Sequence, residues 1–385
     1  MTLTEASLAT RRGVKLLALG FVGFVIIKAV TGIIIPLIPK PGTVIAIPTP
    51  DVAFGQLGAI QLKPLAIKQI TVPSFSLDLT SSILPDKPVQ VPVYPIILAP
   101  YGFLTKDRAF DQARKFFFFS EPQDITPTEF LWNSLARILK MGAANLNFTY
   151  HYDYNNDPTI FDKSGSFVSA ESAKALGLNI MSSRGLLGGG DIFGGTRGAD
   201  LIDGKITTQL LRYNGNKLVP SQSLAETHAV RLDFFRKNLG DYPLVTPHFN
   251  EGLVYLVFSG KTDDPGNQKF YQIADLGFTY WVIKREQSAV YPLIKSIIAW
   301  GMLQNNYKEY LVSLTPDDGS VFGDQIPEVI SLTAREAYLA YYDSDISQGY
   351  MQPVWVFTGK ANIAQGKTAD WAAYVPAIEE EWIRK

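Results

Sequence analysis

Residues 352–359 read Gln-Pro-Val-Trp-Val-Phe-Thr-Gly, and the large and small apolar side chains alternate there with the two-residue period of a β-strand. Because successive side chains of a strand point to opposite faces, Trp355 and Phe357 share one face and Val354 and Val356 share the other. Trp and Phe bury the larger area, so we expect their face to be turned toward the core.

The surrounding residues extend this strand into an α+β unit over residues 286–385. Two further strands are predicted at Glu336–Tyr342 and Thr368–Ala377, with turn-rich segments between the three. A helix is predicted before them, at Ile294–Leu303. A helix followed by an antiparallel meander predicts that the helix covers one face of the sheet, with Trp300 buried against it.

The preceding segment, residues 101–285, also shows mixed helix and strand patterns. Ala170–Ile180 is predicted to be helical with Ser169 as its N-cap. Thr126–Lys140 supports two interpretations. Thr126-Pro127-Thr128-Glu129 is typical of a helix start, whereas the related proteins described below suggest a hairpin there.

Residues 39–100 form a proline-rich segment, since residues 36–100 contain half of the 24 prolines of the chain. Proline fixes φ and removes a backbone donor, so we expect extended structure and neither helix nor central strand. Apolar runs such as Ile60–Leu65 and Val89–Val93 leave two alternatives, a solvated spacer or a strap that docks on a protein surface.

Residues 14–38 are predicted to form a transmembrane helix. The stretch Leu16–Ile38 contains 23 residues with a single charge, Lys28, which is long enough to cross a bilayer. Arg11 and Arg12 precede it, so the positive-inside rule places residues 1–13 in the cytoplasm and the remainder outside. A cleavable signal peptide and a buried soluble helix are the alternatives, but no cleavage site follows and the run is unusually long.

The position of Lys28 indicates which partners the predicted transmembrane helix contacts. It lies near the middle of the predicted span, where an ionised lysine is costly and usually faces a neighbouring helix or a water-filled cavity. Snorkelling is the alternative. We therefore expect contact with the lipid bilayer and with another membrane or envelope protein subunit, or with a second copy of the chain.

Several motifs resemble known families. Tyr291-Pro292-Leu293, Leu339-Ala-Tyr-Tyr342 and Gln352–Gly359 resemble the repeat unit of PepSY-type domains and of accessory proteins of Gram-positive sensor kinases. The whole chain resembles uncharacterised single-pass envelope proteins of candidate-phyla-radiation bacteria, through Phe54-Gly55-Gln56-Leu57 and Arg231–Arg236. The resemblance implies PepSY-like α+β units outside the cytoplasm, and it implies no activity.

Composition excludes several classes of function. The 385 residues include 35 basic and 36 acidic side chains, which argues against a nucleic-acid partner. The absence of cysteine excludes disulfides, zinc–cysteine sites and thiol nucleophiles. No catalytic motif is present; Gly260-Lys261-Thr262 and Gly366-Lys367-Thr368 lack the leading glycine of a phosphate-binding loop, and the glycine-rich run 184–198 lacks its lysine.

The remaining candidate ligands are carboxylates and histidines. Paired acidic residues could hold calcium weakly, but Asp and Asn are also the usual residues of turns, and we prefer that interpretation. We interpret the three histidines as structural. The residues concerned are Asp153, Asn155, Asn156, Asp157, Asp263, Asp264, Asp317, Asp318, Asp343, Asp345, His151, His228 and His248.

The sequence therefore predicts a membrane-anchored extracytoplasmic protein of the cell envelope that acts through protein–protein contacts. We assign no catalytic residue, cofactor-binding residue, cofactor or metal ligand. The alternatives are a cell-wall or glycan hydrolase that uses Asp or Glu pairs, and a module that binds a small molecule or metal. A deep cleft with convergent carboxylates would favour the enzyme, and an ordered proline-rich strap would favour the interaction protein.

Overall fold

Two large β-sheets dominate the structure. The computed structural model describes residues 20–22, 28, 49–67, 71–98, 100–162, 167–190, 196–260, 273–317, 322 and 326–384. The chain divides into two units, residues 1–49 and 50–385, and both sheets belong to the second unit.

Twenty-two strands and five helices are described in chain order as follows. The strands are β1 (Leu57–Gly58), β2 (Ser74–Leu77), β3 (Gln90–Ile97), β4 (Gln123–Thr126), β5 (Glu129–Ser134), β6 (Arg137–Gly142), β7 (Phe148–Tyr152), β8 (Gly189–Gly190), β9 (Thr196–Arg197), β10 (Ile206–Tyr213), β11 (Leu218–Pro220), β12 (Ala229–Phe234), β13 (Leu244–Val245), β14 (Val254–Ser259), β15 (Ile273–Phe278), β16 (Val282–Ile283), β17 (Ala289–Pro292), β18 (Leu311–Pro316), β19 (Val329–Tyr342), β20 (Tyr350–Ile363), β21 (Lys367–Pro376) and β22 (Ile383–Arg384). The helices are α1 (Thr105–Arg114), α2 (Ala170–Ser183), α3 (Ala199–Ile202), α4 (Ser296–Asn305) and α5 (Tyr307–Tyr310).

Sheet 1 is antiparallel throughout, with the strand order β11-β10-β12-β14-β15-β7-β6-β5-β4. Its strands alternate between buried and exposed side chains; in β6, Leu139 and Met141 are buried while Ile138 and Lys140 are exposed. Helices α1 and α2 lie against the sheet, and α2 contacts β10 and β12. Phe and Tyr side chains from most strands fill the core between helices and sheet.

Helix α2 is fixed at its start and along its contact face. Ser169 caps it, because the Ser169 hydroxyl accepts from the Ser172 amide and the Ser172 hydroxyl accepts from the Ser169 amide. Gly177 faces β12, where a Cβ atom would lie 2.3 Å from Leu232 Cδ1, so the helix approaches this closely only with glycine. The helix predicted at Ala170–Ile180 is confirmed and extends to Ser183.

Sheet 2 has the central order β13-β19-β20-β21-β18; β2 pairs with β19, and β3 pairs with β20 and in turn with β16 and β17. Helix α4 covers one face: the Trp300 and Phe357 rings are 5.4 Å apart, and Trp355 Nε1 donates to the Ile294 carbonyl at 2.9 Å. Val354 and Val356 belong to a separate cluster on the opposite face. The predicted meander, and the helix that covers its Trp and Phe face, are therefore confirmed.

Residues 126–140 form strands and not a helix. Strands β4, β5 and β6 follow one another as two hairpins, and Leu135 forms the second turn with φ of +54°. The Thr126 hydroxyl accepts from the Thr128 amide in the first turn, so the residues that suggest a helix cap instead form a β-turn. Buried Phe130 and Trp132 alternate with less buried neighbours, and this two-residue period outweighs the cap signal.

The proline-rich segment docks on sheet 2 within its described part in the second unit, residues 50–67, 71–98 and 100. β2 pairs in parallel with β19, and β3 pairs with β16, β17 and β20. The prediction that it supplies no internal strand is therefore wrong for β3. Pro92 is tolerated because its carbonyl points away from β17 and accepts from Tyr341 OH, so its missing donor also lies on the side away from β17.

The predicted α+β fold with an N-terminal transmembrane helix requires correction. Sheets and not helices dominate, since most of the ordered elements belong to two nine-stranded sheets. Residues 1–13 and nearly all of residues 14–38 lie outside the described residues. Among those described, no helix is long and apolar enough to cross a membrane, and the longest, α2, has 14 residues. The predictions of a membrane anchor and of a single-pass localisation are wrong on this finding.

Candidate interaction site

Two of the carboxylates singled out in the sequence, Asp153 and Asp157, hold turns. Asp153 accepts from the Asn156 amide and side chain, and Asp157 accepts from the Thr159 amide at the start of a 3-10 turn, Pro158–Phe161. Asp317 accepts from Lys360 Nζ at 2.8 Å. Within the described ranges, no group of three or more His, Asp or Glu side chains could hold a metal ion. Asp263, Asp264 and Asp318 lie outside those ranges.

The histidines lie apart from one another. His228 Nδ1 accepts from the Tyr213 amide at 2.9 Å, and the His248 carbonyl accepts from the Thr246 hydroxyl. His151 Nδ1 lies 3.9 Å from Asp275 Oδ2, and hydrogen bonding to that carboxylate raises the pKa of His151, although partial burial opposes it. In the glycine-rich run, β8 pairs with β9, and residues 191–195 lie outside the described part of the chain.

A buried charge network joins the two sheets where β12 and β19 end. Arg236 donates from Nε to Asp200 Oδ2 at 3.0 Å and from Nη1 to the Trp281 carbonyl at 2.8 Å. The same Nη1 lies 3.6 Å from Asp343 Oδ2, and Tyr280 OH donates to Asp200 Oδ1 at 2.8 Å. Because charges are rarely buried without partners, this network fixes the position of the β12 end relative to the β19 end.

The partners of the Asp343 carboxylate in this network satisfy only one of its two oxygen atoms. Its side chain is 4% exposed, and its Oδ1 atom is buried with no hydrogen-bond partner. The pKa of Asp343 is raised to about 6, since burial raises it most, Arg236 lowers it and Asp200 raises it. Burial lowers the pKa of Arg236, but Asp343, Tyr280 and Asp200 together raise it, and the net direction is upward.

A cleft of about 470 Å³ opens beside the network, between the end of sheet 1 and β13. Within the described lining, Asp203 is the only carboxylate, and it lies 3.6 Å from Lys237 Nζ. Lys205 Nζ lies 5.9 Å from the Phe235 ring centre. The cleft thus combines apolar walls with a basic rim, and it offers no pair of carboxylates for hydrolysis. Its main apolar residues are Phe235, Leu244, Val245, Phe249 and Tyr338.

Strand β19 has an interrupted edge at this cleft. In an antiparallel strand, the backbone groups of alternate residues point to alternate sides. The Tyr341 and Asp343 amides donate to the carbonyls of Pro243 and Val245, away from β20. The N–H and C=O groups of Ala337 and Leu339 must therefore also point away from β20.

Neither neighbouring strand reaches these groups. On one side, the last backbone bond of the segment after β2 is donated by the Thr80 amide to the Arg335 carbonyl. On the other side, the next donor in the parallel register would be the amide of residue 243, which is proline and has none. Among the described residues, no backbone group pairs with the outward groups of Ala337 and Leu339. The two residues span about 7 Å of open strand edge.

The open edge is bordered by cleft residues. Tyr338 of β19 and Pro243 to Val245 of β13 line the cleft and also flank the unpaired backbone. Tyr338 is half-buried; burial, and to a lesser extent Glu336, raise the pKa of its hydroxyl to about 12, so the hydroxyl is a neutral donor at physiological pH. The site therefore presents backbone donors and acceptors, apolar walls and basic side chains.

Comparisons with known proteins add little. No family model and no curated protein matches the chain. Among solved structures, an uncharacterised protein from Eubacterium rectale is similar over 78% of this chain and 86% of that chain, at 12% identity and a TM-score of 0.33. That likeness is too weak to support a shared fold or function. The resemblance to PepSY-type domains stays a prediction.

The open edge was missed in the sequence because it depends on pairings between distant segments. Pro243 was the one local signal, since a proline within an apolar run ends a hydrogen-bonded ladder. Tyr338, which also lies at the cleft, is half-buried.

Proposed function

We propose that the protein acts through contacts with another protein, and that it accepts a short extended segment of its partner at the open edge of β19. The observation that carries this proposal is the unpaired backbone of Ala337 and Leu339 beside an apolar cleft. Unpaired strand edges are the usual place where a second chain adds a strand, because its backbone satisfies donors and acceptors that water otherwise solvates.

Sheet 2 supports the proposal through its own construction. β2 and β13 are short strands from remote parts of the chain, and both add in parallel to the same edge of β19. A partner segment would occupy the interval between them. With about 7 Å available, two or three residues pair in register, and the neighbouring side chains enter the cleft.

The lining gives the partner segment a chemical character. Lys205 and Lys237 outnumber the single carboxylate Asp203 at the rim, so an acidic residue in the segment is favoured there. Arg236 does not add to this attraction, because it is buried and paired with Asp200 and Asp343. Phe249 and Tyr338 favour an apolar or aromatic residue next to it. An enzyme that uses paired carboxylates is not favoured at this cleft, because its described lining has only Asp203.

Selection of short peptides from a random display library against the full chain would test the proposal. Ala337→Pro removes an outward donor while leaving the pairing of β19 with β20 intact, and Ala337→Ser is the matched control that keeps the amide. We expect selected peptides to bind the proline variant at least tenfold more weakly, and to bind the serine variant as they bind the wild type.

Hydrogen exchange gives a second measurement that needs no variant. Bound peptide should slow exchange of the Ala337 and Leu339 amides in the wild type. Equal binding to a folded Ala337→Pro variant, or unchanged exchange at both amides, would show that peptides bind elsewhere. A library that yields no binder would remove the support for a peptide-binding function.

A further inference from the structure

A second cleft, separate from the open edge, is rich in carboxamide side chains. It has a volume of about 330 Å³ and lies between the small sheet of β1 and β22 and the loop that follows β19. Four glutamines contribute to its lining. They are Gln56, Gln61, Gln348 and Gln352.

Gln352 presents an unused acceptor. It is 3% exposed, its Nε2 donates to the Gly58 carbonyl at 2.8 Å, and its Oε1 atom is buried with no hydrogen-bond partner. The bond to Gly58 fixes the orientation of the amide, since the opposite assignment would place two oxygens together. A buried acceptor without a donor is destabilising, and a ligand that brings an O–H or N–H group would satisfy it.

The other glutamines are anchored but keep free oxygens. Gln56 Nε2 donates to the Glu381 carbonyl at 3.0 Å, and Gln348 Nε2 donates to the Tyr342 carbonyl at 2.9 Å. Their Oε1 atoms remain available as acceptors, while Gln61 and Ser347 are exposed at the mouth and offer both donors and acceptors. Such a mixture suits hydroxyl groups, each of which donates and accepts.

The cleft is nearly uncharged and has an aromatic wall. Arg384 is the only ionised side chain in its described lining. The Phe54 and Tyr350 rings are stacked, with centres 5.1 Å apart, and both line the cleft. An aromatic wall beside several neutral polar groups suits a ligand with one apolar C–H face and several hydroxyls.

We propose that this cleft binds a neutral sugar, either a free monosaccharide or the terminal residue of a glycan. A sugar hydroxyl donates to Gln352 Oε1, and the remaining hydroxyls exchange hydrogen bonds with the glutamines and Ser347. The apolar face of the ring lies against Phe54 and Tyr350. This inference does not depend on the open edge of β19.

Saturation-transfer NMR and calorimetry on the full chain would test it, with glucose, galactose, mannose and N-acetylglucosamine as probes and inorganic phosphate and acetamide for comparison. Ser347→Trp fills the exposed mouth, and Ser81→Trp places the same side chain at a distant exposed serine. Gln352→Leu removes the buried acceptor. We expect at least one sugar to bind, with at least tenfold weaker binding to Ser347→Trp and Gln352→Leu and unchanged binding to Ser81→Trp.

Three results would overturn the assignment. One is that no sugar of the panel binds at 50 mM, a concentration at which even a weak site of about 10 mM dissociation constant would be mostly filled. Another is that a sugar binds Ser347→Trp as tightly as the wild type, which keeps the test decisive if Gln352→Leu fails to fold. The last is that phosphate or acetamide binds in preference to every sugar, which would indicate an anion or carboxamide site.

Discussion

Substitution of Asp343 by asparagine should change how stability depends on pH. The Asp343 carboxylate is buried in the network that joins the two sheets, and burial raises its pKa from 3.8 to about 6. At 1.36 kcal/mol per pKa unit, ionisation of this group weakens the folded state by about 3 kcal/mol.

The direction follows from the raised pKa. The contribution of protonated Asp343 is fully present below pH 3.8 and is lost as the pH rises through about 6. Asparagine has nearly the same size but does not ionise. From pH 4 to pH 7.5, the wild type should therefore lose about 2.4 kcal/mol of unfolding free energy relative to Asp343→Asn, because part of the loss occurs below pH 4.

Urea unfolding at a series of pH values would measure this difference. Tryptophan fluorescence is a suitable signal because Trp281 Nε1 donates to the Ser344 carbonyl, next to the substituted residue. Asp345→Asn is the control: it removes a carboxylate from the same loop, one that pairs with Lys63 and is 28% exposed on its side chain. If the unfolding free energies of the wild type and Asp343→Asn change with pH in the same way, ionisation of Asp343 does not weaken the folded state. The network would then be better solvated than its burial indicates.

Two further predictions concern packing and electrostatics. Trp355→Ala should reduce the unfolding free energy by about 3–5 kcal/mol in urea unfolding, because it removes a ring that is 1% exposed beneath α4. The control Ile330→Ala changes an exposed residue and should cost less than about 0.5 kcal/mol; a comparable loss in both variants would contradict the assigned core. Asp275→Asn should lower the pKa of His151 in an NMR titration, since hydrogen bonding to Asp275 raises it, whereas Asp153→Asn should lower it less; an unchanged His151 titration in Asp275→Asn would contradict the contact.

The sequence predicted sheet 2 best at β20, whose two faces pack against different clusters. In β20, Trp355 and Phe357 face α4 while Val354 and Val356 face a second cluster, so the alternation of large and small side chains reports both faces directly. Residues 126–140 were ambiguous because Thr126 and Thr128 can cap a helix or close a turn. Only the cross-strand partners of Phe130 and Trp132 decide between those outcomes.

Neither candidate site could be predicted from patterns of neighbouring residues in the sequence. The open edge of β19 exists because pairing stops at Thr80 on one side and at Pro243 on the other, and both segments are remote from Ala337 in the chain. The carboxamide cleft likewise brings Gln56 to Gln348 and Gln352, which lie in a remote segment of the chain. Isolated glutamines have no spacing that indicates a site, so the sequence contained no signal for it.

The proline-rich segment has a consequence for the order of folding. Sheet 1 is built from residues 123–278, mostly from neighbouring segments, whereas sheet 2 requires contacts such as Ser76 with Thr333, 257 positions apart. The small sheet of β1 and β22 likewise brings Gln56 to Glu381, 325 positions apart. Closing such long loops is slow, so docking of residues 57–97 should be a late step.

Until that step is complete, the edges of β19 and β20 that β2 and β3 later cover remain open to strands of other molecules. We therefore expect the docked segment to limit self-association of newly made protein, because it covers these edges.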